Sequence, residues 1–323
     1  MTNRLTNGDS KPQAETPAVP DFSRYKVCDS YSVPVTDSTS AGAAPDTDSP
    51  ISQRISRKKL QEIDSRLGTR DREVLLAAQK YRYLMTGQIE RLLFTDATNP
   101  SAGLRAASRK LKKLCDFGLV DSLSRRIGGV RAGSSSLIWY LTHAGERLLR
   151  LHHNKAHPIR RFFEPSPHHL AHTLAVAEIA IRLTEICREH EPEIASLQLE
   201  PECWRTYSNI GVALSLKPDL YAATTTEEYE DRYFIEVDLD TESPVKIIEK
   251  CQRYHAYYHS GLEQMESEMF PLTIWIVPSI TRKEKLIRHL KAAFDKQPKL
   301  FAIITSDELE QLILEGGDRG MLC

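Results

Sequence analysis

Acidic side chains alternate along the segment FIEVDLDTES, residues 234–243. In an extended chain, residues i, i+2 and i+4 share a face, so Glu236, Asp238 and Asp240 stand together opposite Ile235, Val237 and Leu239. Three carboxylates on one short strand repel one another. Either water solvates that face or a cation, metal or side chain, lies over it. The preceding TTTEEYEDR, residues 224–232, is polar enough for a hairpin loop. A turn centred between Glu227 and Glu228 pairs the flanking strands so that Asp219 faces Glu236. An even slip keeps both on one face, and a slip of one separates them. In the expected register Asp219, Glu236 and Asp238 form a hard, oxygen-rich cluster suited to Mg2+ or Mn2+.

Ser243, followed by Pro244 at the first helical position, predicts a helix from Pro244 to about Tyr258. Lys246, Lys250 and Tyr254 recur on one side of it at four-residue spacing and can fold over the acidic strand end. A metal held by Asp219 and Glu236 beside a lysine offers a polarised phosphoryl oxygen, an activated water and a positive group for developing charge. Phosphodiester hydrolysis needs those three. Weaker candidates lie upstream. His168 and His172 have the spacing of paired zinc ligands, but with no third ligand in view, packing at a helix start is the preferred reading. Glu178 lies in line with Arg182, Glu185 and Glu189, which favours a solvated stripe over a ligand, and Asp240 and Glu242 read as wet face.

The elements that must position these groups form an α+β pattern. An apolar helix from His168 to His190 precedes three strand-like segments, SLQLE, VALSLKPDLYAAT and RYFIEVDLD. Helix, strand, helix, strand and helix follow, which implies a mixed sheet covered by helices. Further upstream, helical periodicity begins at Arg70 with Val74, Leu75, Ala78 and Tyr81. A second short helix starts with Thr86 as its N-cap, and a third runs from Ser101, as cap, to Gly118. Leu104, Ser108, Leu111 and Leu114 or Cys115 are its expected inner face, with Arg105, Arg109, Lys112 and Lys113 outside. Two strands around the tip RIGGVRAGSS come next, and Thr142 caps another helix.

Charge divides the chain. Residues 1–50 carry a net −3, residues 51–162 a net +14, and residues 163–323 a net −12. A basic block beside an acidic one suggests that the first meets a polyanion. Three helices and a basic hairpin give the order of a winged helix-turn-helix. Its third helix would enter the major groove of double-stranded DNA, and Arg125, Arg126 and Arg131 on the wing would reach phosphates. The absence of an aromatic pair placed for base stacking favours DNA over RNA.

The sequence KPDL, FIEVD and EKCQRY, in this element order, resembles the restriction-endonuclease-like, or PD-(D/E)XK, nuclease fold. More narrowly, LTHAGERLL, HTLAVAEIAIRL, KPDLYA, YFIEVDLDTES and KCQRYHAYY resemble the replication-relaxation family of plasmids and mobile elements, over about Arg70 to Ile280. That resemblance implies metal-ligand roles for Asp219 and Glu236, and partners among replication or mobilisation proteins, with a homodimer left open. The nuclease pattern expects lysine two residues beyond the glutamate, where this chain has Asp238. Lys250-x-x-x-Tyr254 resembles the Gln-x-x-x-Tyr helix motif of some relatives, so Lys250 is the implied replacement and Lys217 the second candidate. If neither reaches, the site binds metal or DNA without cutting, as a regulator or accessory factor.

The expected organisation is a disordered tail at residues 1–50, a winged helix-turn-helix at 51–160 and a nuclease-like domain at 161–323. The tail is rich in Ser, Thr, Asp and Pro without apolar periodicity. With no long apolar run and no secretory signal, a cytoplasmic location without membrane contact is expected. The six scattered cysteines form no C-x-x-C pair.

Overall fold

The computed structural model describes residues 55–123, 137–152, 164–209, 211–296 and 299–315. The expected tail and the hairpin tip with Arg125, Arg126 and Arg131 lie outside them. Among the described residues, helices and a mixed sheet give an α+β architecture, and no helix is long and apolar enough to cross a membrane.

The basic part begins with α1 (Arg57–Asp64), α2 (Thr69–Tyr81), β1 (Tyr83–Met85), α3 (Thr86–Leu93) and α4 (Pro100–Asp116). It continues with β2 (Val120–Ser122), β3 (Ile138–Leu141) and α5 (His143–Arg150). The three strands form an antiparallel sheet in the order β1-β3-β2. The expected α2 residues Val74, Leu75, Ala78 and Tyr81 are buried. Two cap assignments change. Asn99 caps α4 by accepting from Ala102 N, with Pro100 in the first turn in place of Ser101 as cap. Met85 stands at the cap position of α3, and the hydroxyl of buried Thr86 accepts from Trp139 Nε1 at 2.9 Å. Gly118, at φ +70°, ends α4 as expected: Leu119 N donates to Leu114 O and Gly118 N to Cys115 O. Thr142 caps α5 through its hydroxyl.

The acidic part starts with α6 (Pro167–Glu189), capped by Ser166. Then follow β4 (Glu193–Leu199), β5 (Arg205–Asn209), β6 (Val212–Leu216), β7 (Leu220–Thr225), β8 (Glu230–Val237) and α7 (Pro244–Ser260). The series closes with α8 (Leu262–Ser267), β9 (Leu272–Val277), α9 (Ile280–Phe294), β10 (Phe301–Thr305) and α10 (Leu309–Glu315). The main sheet has the order β10-β9-β8-β7-β4, antiparallel from β4 to β8 and parallel from β8 to β10. VALSLKPDLYAAT is therefore two strands, β6 and β7. Pro218 carries no N–H for a ladder and stands at the break, and β6 turns away to pair with β5 in a separate hairpin.

Alternate residues of β8 divide between two cores. Tyr233, Ile235 and Val237 join the cluster containing the apolar side of α6, while Phe234 joins Ile247, Cys251 and Tyr254 of α7 and Leu286 and Leu290 of α9. Apolar contacts on both sheet faces explain why this strand reads as an unbroken apolar run around its acids. The first core is continuous from Leu60 to Ile313, so the basic and acidic parts share it.

A polar joint reinforces that contact. Glu178, only 3% exposed, receives Gln88 Nε2 at 2.9 Å and is ion-paired with Arg91 of α3. Arg91 also holds Glu185 through Nε at 2.7 Å, and Arg188 donates back to the carbonyls of Arg91 and Leu92. The expected solvated stripe on α6 is thus, at Glu178 and Glu185, an interior seam facing the basic part.

Candidate functional site

The register of β7 and β8 pairs Leu220 with Ile235 and Tyr221 with Phe234. One step further places Asp219 opposite Glu236, as the turn in TTTEEYEDR implies. Both are buried, Asp219 at 7% and Glu236 at 1% exposure. Asp219 Oδ2 accepts from Val237 N at 2.8 Å, and Oδ1 lies 3.1 Å from His172 Nε2 on α6. Glu236 Oε1 accepts from the Tyr254 hydroxyl at 2.7 Å, and Oε2 from Lys250 Nζ at 3.2 Å.

The helix that delivers Lys250 and Tyr254 forms for local reasons. The Ser243 hydroxyl caps it, Pro244 opens it, and Gly261 at φ +71° closes it. Ile247, Cys251 and Tyr254 are buried on its inner side. The four-residue step therefore sets Lys250 one turn before Tyr254, both above Glu236.

Burial pushes the Glu236 carboxyl up, and the charge of Asp219 adds to this. Lys250 and Tyr254 pull the other way, leaving it at about 7. For Asp219, burial also favours the neutral form, but His172, Lys250 and the Val237 N–H outweigh it and hold the group below the ordinary aspartate value. Burial opposes the charge on Lys250, yet Glu236, Asp219 and Glu242 keep its ammonium protonated above the usual lysine range. His172 is raised in the same way: burial disfavours its cation, and Asp219 more than compensates. The pair thus combines an ionised aspartate with a glutamate that titrates near neutrality.

Asp238 is not drawn into this group. Its Oδ2 accepts from Arg282 Nε of α9 at 2.6 Å, and its Oδ1 from Asp240 N at 3.0 Å. Arg282 is itself buried and also holds Asp240 and the Glu242 carbonyl. The arginine thus takes the alternating acids beyond Glu236, correcting the expected three-carboxylate cluster. Lys217 is exposed, its Nζ 4.2 Å from the Trp204 ring centroid. Among the described residues no group of three or more His, Cys, Asp and Glu has the geometry to hold a metal.

His172 is the site residue that sequence reasoning left in the background. Its signal was its place one turn after His168, but Asp219 is 47 residues away in the chain. Of the other histidines, His168 lies 3.0 Å from the Thr241 hydroxyl.

The acid pair opens into a cleft of about 510 Å3, whose walls include Lys217, Lys250, Arg253 and Tyr254. On α4, Arg105, Arg109 and Lys112 are exposed, and Lys113 is half-buried. Lys112 pairs with Asp116, while Lys113 Nζ reaches buried Asp71 at 2.6 Å. Arg105 and Arg109 have no ion pair among the described residues. The inner face of α4 is Gly103, Ala107, Leu111 and Leu114, rotated from the expected Leu104 and Ser108.

These features define an α+β protein with a buried acid pair beneath a lysine-bearing helix, joined to a basic helical part. The family model described as replication-relaxation matches residues 75–273, more than half of the chain, which therefore belongs to the replication-relaxation family. Membership points to a role in replication or mobilisation. Searches of curated proteins and of solved structures gave no match.

Proposed function

We propose that this is a DNA-binding protein of plasmid or mobile-element replication or mobilisation, with a winged helix-turn-helix and a PD-(D/E)XK nuclease-like part that nicks or hydrolyses DNA using Mg2+ or Mn2+. The observation that carries the reading is Lys250 Nζ at 3.2 Å from Glu236 Oε2, with Asp219 opposite. An ammonium group thus stands at the acid pair even though the strand position of the expected lysine holds Asp238. The exposed guanidinium groups of Arg105 and Arg109 on α4, without an ion pair among the described residues, support duplex docking.

Asp219 and Glu236 would hold the ion. Two carboxylates suit Mg2+, which keeps several waters and takes further oxygens from substrate phosphates. A cation held by these two residues would offset the like charge of Asp219 that adds to burial in lifting Glu236. Such an ion supplies a polarised phosphoryl oxygen and a water of lowered pKa. The protein does the rest. Lys250 places a permanent positive charge beside the pair, Tyr254 fixes the rotamer of Glu236, and His172 with the Val237 N–H fixes Asp219.

One observation favours a second reading. All four oxygens of the pair already have a protein partner, as in a closed polar network that stabilises a fold. In that reading the chain is a non-catalytic regulator or accessory factor whose nuclease-like part binds a partner. Nicking of supercoiled plasmid in Mg2+ or Mn2+ separates the two. The nuclease reading expects Glu236→Gln to abolish nicking while DNA binding survives. No cleavage by wild type on supercoiled, linear or single-stranded substrates refutes it and leaves the regulator.

A further inference from the structure

Three cavities adjoin along one side of the protein. The first, about 40 Å3, is lined by Lys80 and Arg82 from the basic part and by His172 and Asp219 from the acidic part. It shares Glu200 and Asp219 with the 510 Å3 cleft over the acid pair. That cleft shares Ser215 and Arg253 with a third cavity of about 540 Å3, beside α7 and the β5–β6 hairpin. The shared walls make one groove that starts at the end of α2, passes Asp219 and Glu236, and leaves along α7.

Arg82, Lys217 and Arg253 line this groove, and none has an ion pair among the described residues. Other cations close to the acid pair and the β5–β6 hairpin are committed: Lys250 to Glu236, Arg282 to Asp238, Arg205 to Glu263. Glu200 and Glu249 face the same groove, so binding there must rest on the uncommitted cations. Lys217 in turn lies over Trp204, which at 37% exposure is the accessible tryptophan beside the buried Trp139 and Trp275. Cations without an ion pair among the described residues, spaced along a groove, with the partly exposed Trp204 ring against Lys217 of its wall, are features that hold a single strand: charge tracks the backbone and a base stacks on the open side of the ring.

We propose that this groove binds one strand of DNA and passes it across Asp219 and Glu236, so that the acid pair acts on single-stranded DNA while α4 holds duplex. The proposal deepens the nuclease reading by naming its substrate. Binding measured in EDTA separates the two, because a strand that binds and is never cut supports the groove and refutes the nuclease alone.

The test compares the full chain with Arg82→Ala/Lys217→Ala/Arg253→Ala, using fluorescence anisotropy of a labelled oligothymidylate and a labelled duplex in EDTA across a salt series. The ratio of single-strand to duplex affinity falls about tenfold, and the single-strand salt slope drops by about 2, the loss of three phosphate contacts. Trp204→Ala weakens strand binding about fivefold and Trp204→Phe restores it, as stacking requires. Thermal melts confirm that each variant is folded. An unchanged ratio and slope in the folded triple variant, or equal affinity of the Ala and Phe variants at Trp204, overturns the proposal.

Discussion

Replacing Glu236 by Gln isolates the electrostatics of the acid pair, because the amide mimics the protonated acid and can still accept from Tyr254. Burial and the charge of Asp219 lift this carboxyl from an ordinary 4.5 to about 7. A raised carboxyl pKa means that the folded state holds its proton more tightly than the unfolded chain. The cost is therefore absent below about 4.5, grows as pH rises, and is complete above about 7. Between about pH 5 and about pH 8 it takes roughly 2 to 3 kcal/mol from the wild type, from linkage at about 1.4 kcal/mol per pKa unit. His172 is raised as well, chiefly by Asp219, so most of its contribution, present at low pH and lost as pH rises through its folded value, remains in both proteins; the smaller part due to Glu236 is lost in the variant. Urea unfolding across that range, without divalent metal, measures the difference. Wild type loses roughly 2 to 3 kcal/mol more than Glu236→Gln over the interval. Parallel stability profiles would show that Glu236 titrates as an exposed carboxyl, and the description of a buried pair in which Asp219 adds to the lift of Glu236 would be wrong.

Two other perturbations follow from the structure. Arg91→Ala leaves the buried Glu178 carboxylate without its cation, and urea unfolding should show a loss on the order of 3 kcal/mol. Because α3 and α6 meet there, the same variant should raise hydrogen exchange on both sides of that seam. On α4, Arg109→Ala should weaken duplex binding and lower its salt slope by about 1 without changing stability. Lys113→Ala should instead destabilise the protein, since its ammonium serves buried Asp71.

How much of this was legible in the sequence depended on whether the signal was local. The β7–β8 register followed from alternation and one polar turn, because a strand period of 2 and a hairpin centre together fix facing residues. The helix over the pair was equally readable, since Ser243, Pro244 and Gly261 act on their own neighbours. The break at Pro218 was present in the sequence as well, but a continuous strand obscured it. Likewise Asn99 and Pro100 carried a stronger start signal for α4 than Ser101. The fates of Asp238, Glu178 and His172 were not readable. Each is decided by a side chain far away in the chain, Arg282, Arg91 or Asp219, and spacing within one element cannot reveal a partner on another. An acidic stripe looks the same in sequence whether water or an arginine faces it.

The central claim is that Asp219 and Glu236 together seat a divalent cation. Calorimetric titration of Mn2+ into the metal-free protein, at a pH above the Glu236 value, tests it most directly. The account predicts a single site in wild type that disappears in both Asp219→Asn and Glu236→Gln and persists in Asp238→Asn. No Mn2+ binding by wild type, or binding that survives both substitutions, would contradict it.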